Sequence, residues 1–396
     1  MSAWVLPDYI SDVLPAEARL IEAHRRALLD TAGSYGYELV MPPLVEHIES
    51  LLTGTGKALH MQTFKMVDLL SGRTIGVRSD ATQQVARIDA HLLNRPGVTR
   101  LCYCGPVLHT RPSQPGASRE PLQFGAEMYG YEGIGAELES LALALDTLAA
   151  VDVPMAQGLV VDLAEASIVP ALLEQAAGAV IDANSIQDAL ITKNAEALRE
   201  AAATLPEAVQ QQLLALLGLY GGVDAVLERA RGVLPPLPAI TSALNDIDWL
   251  ARQLRRTHPQ AEVLLDLADL RGYSYYSGIR FAIYLPGSPD ALVRGGRYNE
   301  VGAVYGRNRP AVGFSMDVRA VSALTPAATQ PQAILAHWRE DLDWRQAVRT
   351  LRARGRTVVV RFPGQSPDEG QEGMHCQTEL VQQQGQWVEQ PLTAQA

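Results

Sequence analysis

Gln123-Phe124-Gly125-Ala126-Glu127-Met128-Tyr129-Gly130 is the stretch that decides the fold of this 396-residue chain. Polar or small residues alternate with apolar ones along it, and this alternation is the period of a β-strand. Gln123, Gly125 and Glu127 then share one face, because successive side chains of a strand point to opposite sides of the sheet. Tyr129 extends the same row. A strand with an amide and a carboxylate on one face predicts the floor of a polar pocket.

The segments around this strand predict an α+β domain, because helices and strands follow each other without a regular βαβ order. A hairpin is expected at Ser71-Gly72, between strands at residues 64–68 and 73–77. Helices are predicted at residues 16–34, 81–93 and 136–151, and further strands at 36–43, 98–108, 121–131, 263–267 and 280–285.

Two segments differ from this pattern. Residues 168–258 are rich in Ala, Leu and Gln and predict helix after helix, and strand signals return after them. The expected organisation is therefore one domain over residues 1–324, with a helical insertion at 168–260. A short C-terminal α/β domain is expected over 325–396, with a strand, a helix, a strand and a hairpin near Gln384-Gly385. The arginine stripe of its helix is either a solvated face or a partner-docking face.

Composition restricts the function before any motif is considered. Lys plus Arg is 33 and Asp plus Glu is 44, so the net charge is −11, which argues against a general nucleic-acid binder. The N-terminal residues lack the basic region of a secretory leader, no apolar run is long enough to span a membrane, and three cysteines fit a reducing cytoplasm. Cys102 and Cys104 are expected to pack inside a strand. No cofactor or metal motif is present in the sequence.

Several polar segments predict a binding site only when they are considered together. Asp80 in Arg78-Ser79-Asp80-Ala81-Thr82 could simply cap the helix that follows. Residues 271–278 place three tyrosines and an arginine beside glycines, and residues 294–298 repeat the theme. Together they predict a pocket on the sheet floor, where Asp80 and Glu127 meet an ammonium or imidazolium group, arginines meet a carboxylate and tyrosines form the wall. This is the chemistry of a site for an amino acid with a second basic group.

These segments resemble histidyl-tRNA synthetase, a class II aminoacyl-tRNA synthetase, over about residues 8–324. Residues 36–43 resemble the dimer-forming first class motif, and residues 123–130 the end of the second. Arg271-Gly272-Tyr273-Ser274-Tyr275-Tyr276 is similar to the histidyl signature Arg-Gly-Leu-Asp-Tyr-Tyr, and residues 295–299 and 310–314 to the lead into the third class motif. The resemblance implies an antiparallel sheet flanked by helices. It also implies a histidine pocket formed by Asp80, Ala81, Thr82, Gln123, Glu127, Arg271, Tyr275 and Tyr276.

Two positions depart from the synthetase pattern. The second class motif has an arginine for the ATP phosphates where this chain has His109, and the third has an arginine where this chain has Ala320. Losing one such arginine costs about a thousandfold in phosphoryl-transfer rate. Arg111, Arg119 and Arg319 lie nearby but at shifted positions. We therefore expect no amino-acid adenylation.

A histidyl-synthetase-like chain without these arginines and without a full anticodon domain resembles the regulatory subunits of ATP phosphoribosyltransferase. The resemblance implies a subunit without catalysis of its own that binds L-histidine and a short-form catalytic subunit. It further implies a homodimer within a larger hetero-oligomer that starts histidine biosynthesis and mediates feedback inhibition, with no nucleic acid or membrane as partner. A divergent histidyl-tRNA synthetase and a histidine-sensing paralogue with another partner are the alternatives.

Overall fold

A nine-stranded sheet is the central feature of the structure, a computed structural model. It describes residues 4–52, 57–114, 116–176, 181–272, 275–288, 290–299, 302, 305–327, 332–366 and 375–392. The chain divides into two units, residues 1–11 with 23–325 and residues 12–22 with 326–396.

The strands of the larger unit belong to two sheets. They are β1 (Glu38–Leu39), β2 (Val45–His47), β3 (Phe64–Val67), β4 (Thr74–Val77), β5 (Thr99–Pro106), β6 (Leu122–Tyr129), β7 (Leu159–Glu165), β8 (Tyr220–Gly222), β9 (Ala261–Asp266), β10 (Ile279–Tyr284), β11 (Val293–Arg297) and β12 (Ala311–Asp317). The large sheet has the order β1-β5-β6-β12-β11-β10-β7-β9-β8, and a small sheet has the order β2-β4-β3. The β3–β4 hairpin confirms the one predicted around Ser71-Gly72.

Strand pairing in the large sheet is antiparallel except at β1–β5 and β7–β9. Strand β6 lies between β5 and β12, so its middle is covered by hydrogen-bonded neighbours on both sides. The expected α+β class with a large antiparallel sheet is confirmed, whereas the strand predicted at 36–43 is only two residues long.

Helices of the larger unit cover the sheet and bury its core. They are α1 (Pro15–Ser34), whose first residues belong to the smaller unit, α2 (Ile48–Leu51), α3 (Lys57–Gln62), α4 (Thr82–Arg87), α5 (Gly135–Ala150), α6 (Ile168–Leu173), α7 (Ala183–Ile191), α8 (Ala195–Ala201), α9 (Glu207–Leu216), α10 (Val223–Val233), α11 (Pro238–Thr257) and α12 (Val318–Ser322). Helix α5 packs against β6, β11 and β12. On this apolar face the rings of Phe124 and Phe314 lie 6.1 Å apart between centroids.

Two predicted helical segments differ in detail from the structure. The helix expected over 81–93 is α4 followed by a π-helical turn, Ile88–Leu93. The block expected to be all helix contains β8, which pairs with β9 in the large sheet. Gly221 there has a φ of +119°, which a residue without a Cβ adopts easily. This short strand also has no apolar periodicity from which it could be predicted.

The C-terminal unit has a four-stranded sheet with one helix. Its elements are β13 (Gln332–His337), α13 (Leu342–Ala353), β14 (Thr357–Arg361), β15 (His375–Gln383) and β16 (Gln386–Pro391), and its strand order is β14-β13-β15-β16. The β15–β16 hairpin confirms the turn predicted at Gln384-Gly385. In the predicted arginine stripe, Arg345 lies over the Trp338 ring at 5.9 Å, and Arg352 donates to the Val358 carbonyl at 3.0 Å.

Candidate functional site

Glu127 lies at the centre of the candidate site, on the middle of β6. Its register partners are Leu101 on β5 and Gly313 on β12, and only 1% of the residue is exposed. A Cβ at position 313 would overlap the carboxylate of Glu127, so glycine at this position provides the space in which the carboxylate lies. The alternation predicted for Gln123, Gly125 and Glu127 is confirmed by β6.

Three hydroxyl groups surround this carboxylate. The Tyr298 hydroxyl donates to Glu127 Oε2, and the Tyr103 hydroxyl donates to Oε1 at 3.4 Å. Thr82 Oγ1 lies 3.1 Å from the Tyr103 oxygen. A hydrogen bond from Thr82 also acts on the Glu127 carboxyl and lowers its pKa. The arrangement positions the carboxylate but supplies it with no positive charge.

Burial raises the pKa of Glu127 to about 8. The hydrogen bond from Tyr298 acts in the opposite direction, and the nearby charge of Asp80 raises the pKa further. Within the described residues no lysine, arginine or histidine forms an ion pair with Glu127. A buried carboxylate of this kind is stabilised in its charged form by a cation, so the site favours a ligand that brings one.

The raised pKa of Glu127 gives a pH prediction for the ligand-free protein. Below pH 8 the folded protein keeps a proton that the unfolded chain loses above its ordinary pKa of 4.5. This contribution to stability is therefore complete at low pH and is lost as the pH rises to about 8, at up to about 1.4 kcal/mol per pH unit. Urea unfolding at pH 5, 6, 7 and 8 should show the decline, and a Glu127→Gln variant should lack this part of it. Parallel curves for the two proteins would contradict the assignment.

Asp80 lies near Glu127, and a set of hydrogen bonds at the start of α4 holds it there. Asp80 Oδ1 accepts from the Thr82 backbone N–H at 2.9 Å and from Gln123 Nε2 at 3.0 Å. Gln123 Oε1 in turn accepts from the Ala81 N–H at 3.0 Å. The structure thus brings Asp80, Ala81, Thr82, Gln123 and Glu127 together. The Asp80 carboxylate, which is only partly buried, supplies a second negative group to the same pocket.

Tyrosine rings form a wall of this site. Tyr275 stacks on Tyr298 with centroids 5.0 Å apart, and Tyr276 meets Tyr275 edge to face at 5.1 Å. The charges of Glu127 and Asp80 are near enough to contribute to the raised pKa of Tyr275, whose main cause is burial. Tyr273 and Ser274 of the same motif lie outside the described residues.

Arg271 is placed differently from the other predicted site residues. Its Nε and Nη2 donate to the two carboxylate oxygens of Asp269 at 2.8 and 2.7 Å, and 58% of its side chain is exposed. Arg280 shares the same carboxylate. Among the described residues, Arg271 makes no hydrogen bond to Asp80, Gln123 or Glu127. The structure therefore places Arg271 in an ion-pair cluster with Asp269 and Arg280.

The two positions where the synthetase arginines are replaced are His109 and Ala320. His109 Nε2 is 2.9 Å from the Ser79 carbonyl oxygen, and Ala320 lies in α12. Arg119 donates to the carbonyls of His109 and Asp8, and Arg319 to those of Glu120 and Ser11. Arg111 is exposed. Arg119 and Arg319 are thus engaged with backbone oxygens.

Tyr103 and Gly313 are site residues that the sequence does not assign to the pocket, whereas Tyr298 belongs to the predicted segment 294–298. Gly313 lies in a segment that resembles the lead into the third class motif, and Tyr103 has only the pattern of a strand residue. Gly125 holds the signal for Tyr103: the two are register partners, and a Cβ at 125 would overlap the tyrosine ring. A glycine inside a strand indicates close approach of a neighbour, although it does not identify that neighbour.

Other site types find no support in the described part of the chain. No group of three or more His, Cys, Asp or Glu side chains there is arranged to hold a metal ion. None of its helices combines the length and apolar character needed to cross a membrane. Burial raises the pKa of the Cys102 thiol to about 11, which fits the packing role expected for it.

Comparison with known proteins gives two family matches. A family model described as Histidyl-tRNA synthetase matches residues 9–321. A second, described as ATP phosphoribosyltransferase subunit HisZ C-terminal domain, matches residues 331–390.

Curated relatives match over nearly the full chain. An ATP phosphoribosyltransferase regulatory subunit of Albidiferax ferrireducens is 59% identical over 388 residues, 98% of this chain and 99% of the relative. A protein of the same description from Variovorax paradoxus is 56% identical over 390 residues, again 98% and 99%.

Solved structures share the fold. An ATP phosphoribosyltransferase regulatory subunit/histidyl-tRNA synthetase from Bacillus halodurans superimposes with a TM-score of 0.79 at 25% identity, over 95% of this chain and 99% of that one. A histidyl-tRNA synthetase from Nostoc gives a TM-score of 0.76 at 17% identity, over 99% and 97%. These matches confirm the class II synthetase-like fold.

Proposed function

The chain belongs to the family of ATP phosphoribosyltransferase regulatory subunits, and from this premise we propose that it binds L-histidine in the pocket around Glu127 and conveys that occupancy to a catalytic subunit. As a regulatory subunit in histidine biosynthesis it has no catalytic role of its own. The proposed consequence is feedback: histidine binds one state of the assembly better and so shifts the complex toward it.

The observation that carries the proposal is a buried carboxylate that forms no ion pair with a cation of the described residues. Glu127 is held by Tyr298 and Tyr103 and has a pKa raised to about 8. Histidine brings an ammonium group and an imidazole that can be protonated, and the pocket offers Glu127 and Asp80. A cation that enters the site stabilises the ionised carboxylate and supplies the charge that the protein does not.

The replaced arginine positions support the absence of amino-acid activation. His109 and Ala320 stand where the synthetase resemblance has arginines, and Arg119 and Arg319 donate to backbone carbonyls. Stabilisation of phosphate charge is the main protein contribution to chemistry at phosphorus. A protein built in this way is suited to hold the amino acid and unsuited to activate it.

Protein partners complete the proposal. The family name implies a catalytic ATP phosphoribosyltransferase subunit, and we propose the short form as that partner, with this chain as a homodimer inside a cytoplasmic hetero-oligomer. Large exposed apolar side chains support a protein interface in the larger unit: Met41, Met66, Val67, Leu69 and Leu70 are 45–96% exposed.

Calorimetry with histidine, alone and with the catalytic subunit, tests this function together with an ATP–pyrophosphate exchange assay. We expect saturable histidine binding, formation of the complex and no histidine-dependent exchange. Exchange above background would instead identify a divergent histidyl-tRNA synthetase, which the family match over residues 9–321 favours as the second candidate. Histidine binding without complex formation would indicate a sensor with another partner, and absence of binding would refute the ligand.

A further inference from the structure

His109 has a hydrogen-bonding role that the proposed function leaves unexplained. Its Nε2 lies 2.9 Å from the carbonyl oxygen of Ser79, and a carbonyl can only accept, so Nε2 carries the proton. Ser79 is 5% exposed, and its carbonyl accepts no other hydrogen bond from the described residues. The next residue in the chain is Asp80, whose carboxylate accepts hydrogen bonds from Gln123 and from the Thr82 N–H at the start of α4. The imidazole therefore holds the peptide from which a pocket carboxylate extends.

The other ring nitrogen of His109 contributes nothing to this contact. His109 Nδ1 is buried and has no hydrogen-bond partner within the described residues. A donor at the Nε2 position is thus the property that the site uses, and it distinguishes His109 from an arginine whose guanidinium would be directed to phosphates.

The backbone of His109 links this peptide to the N-terminal strap, defined here as residues 4–11. The His109 N–H donates to the Arg119 carbonyl at 2.8 Å, and Arg119 Nε donates to the His109 carbonyl at 3.0 Å. Arg119 then holds the strap, through its N–H to the Tyr9 carbonyl at 3.0 Å and its Nη1 to the Asp8 carbonyl at 3.3 Å. Arg319 adds a hydrogen bond to the carbonyl of Ser11.

We propose that His109 is a positioning residue of the ligand pocket, which fixes the Ser79–Asp80 peptide and couples its position to the N-terminal strap through Arg119. The inference rests on the proposed function, because it concerns the site assigned there to histidine. A histidine that supports the Ser79–Asp80 peptide thus stands where the synthetase resemblance has an arginine. Hydrogen bonds joined by short covalent segments connect Asp80 to Tyr9 through the Ser79 carbonyl, His109 and Arg119, so we expect ordering of Asp80 by a ligand cation to order the strap as well.

The strap is suited to report that change outside the pocket. Trp4, Val5 and Tyr9 are 90%, 75% and 52% exposed, which is unusual for side chains of this kind. Among the described residues, the hydrogen bonds that tie the strap to the rest of the chain are those that Arg119 and Arg319 donate to the carbonyls of Asp8, Tyr9 and Ser11. A small change at the His109–Arg119 pair therefore alters how firmly the backbone that carries these apolar side chains is held.

Four substitutions in the full-length protein separate positioning from mere folding. His109→Ala and His109→Phe remove the donor, and the second keeps a ring of similar size. We expect each to weaken histidine binding about ten- to a hundredfold, because a buried carbonyl is left without a partner. His109→Gln keeps an N–H donor and should stay within about threefold of the wild type. His258→Ala is the matched control, since it removes a buried imidazole that contacts Asp146 at 3.3 Å, outside this chain of contacts.

Hydrogen exchange supplies a readout that a purely structural role would leave unchanged. Saturating histidine should slow amide exchange at Arg119 and across residues 4–11 in the wild type and in His109→Gln, and should leave it unaltered in the two donor-free variants. Calorimetry on the wild type comes first, and no histidine binding there refutes the proposed function. Wild-type binding with unchanged affinity and exchange response in His109→Ala or His109→Phe overturns the positioning role alone.

Discussion

Replacing Glu127 by glutamine is expected to weaken histidine binding by about 100- to 1000-fold while the fold stays intact. Glutamine matches the shape of glutamate and still accepts a hydrogen bond from Tyr298, so the packing of β6 is preserved. The ligand cation loses the one fully buried carboxylate of the pocket. Truncating one partner of a buried charge pair costs about 2–5 kcal/mol, most of it because the other charge stays unpaired.

A proton measurement sharpens this experiment. Because the pKa of Glu127 is raised to about 8 in the free protein, a bound cation makes the group give up its proton at pH 7. Calorimetry in buffers of different ionisation enthalpy should reveal proton release by the wild type. The affinity of the wild type should rise with pH up to about 8, and the variant should show neither effect.

Glu139→Gln is the matched control for this variant. Glu139 binds Arg100 through two hydrogen bonds of 2.7 and 2.9 Å, so the same chemical change is made at a glutamate with its own cation. Histidine affinity should stay within about threefold of the wild type. Equal losses in the two variants, or tight binding by Glu127→Gln, would place the ligand elsewhere.

The sequence predicts the part of the site that depends on the two-residue alternation of side chains along a β-strand. Gln123, Gly125 and Glu127 lie on one strand, so an alternation of two assigns them to one face whatever the rest of the chain does. The segment from Asp80 to Thr82 can be predicted from the sequence equally well, because an aspartate before a helix has few local roles. In the structure Asp80 accepts hydrogen bonds from the Thr82 N–H at the start of α4 and from Gln123 on β6, and its role in a ligand pocket stays a prediction.

The rest of the site depends on contacts between distant segments. Tyr298 reaches Glu127 across 171 positions of sequence, and no local pattern encodes that hydrogen bond. Arg271 also depends on such contacts: a motif that resembles the histidyl signature predicts a pocket residue, and the structure shows its guanidinium bound to the carboxylate of Asp269. The charge of each site residue is predictable from the sequence, whereas the residue with which it forms a hydrogen bond or ion pair is not.

Replacing Gly313 by alanine is expected to weaken histidine binding by about a hundredfold and to destabilise the protein. The new Cβ would overlap the Glu127 carboxylate and would lie 2.7 Å from the Ala126 carbonyl oxygen, which belongs to the paired strand and cannot rotate away. The carboxylate must therefore leave the hydroxyl of Tyr298. Overpacking of this kind costs about 1–3 kcal/mol in a well-packed interior. Urea unfolding and histidine calorimetry on the same preparation measure the two effects.

Gly232→Ala provides the comparison for the same one-carbon change. No heavy atom lies within 4 Å of a Cβ at that position in α10, so alanine should be neutral or should stabilise the helix by up to about 1 kcal/mol. If Gly313→Ala behaved like Gly232→Ala, the space beside Glu127 would be larger than the β6–β12 register allows. Loss of binding together with a small loss of stability would instead show that Gly313 provides space for the Glu127 carboxylate. In that case the pairing of β6 with β12 survives the substitution and only the position of Glu127 changes.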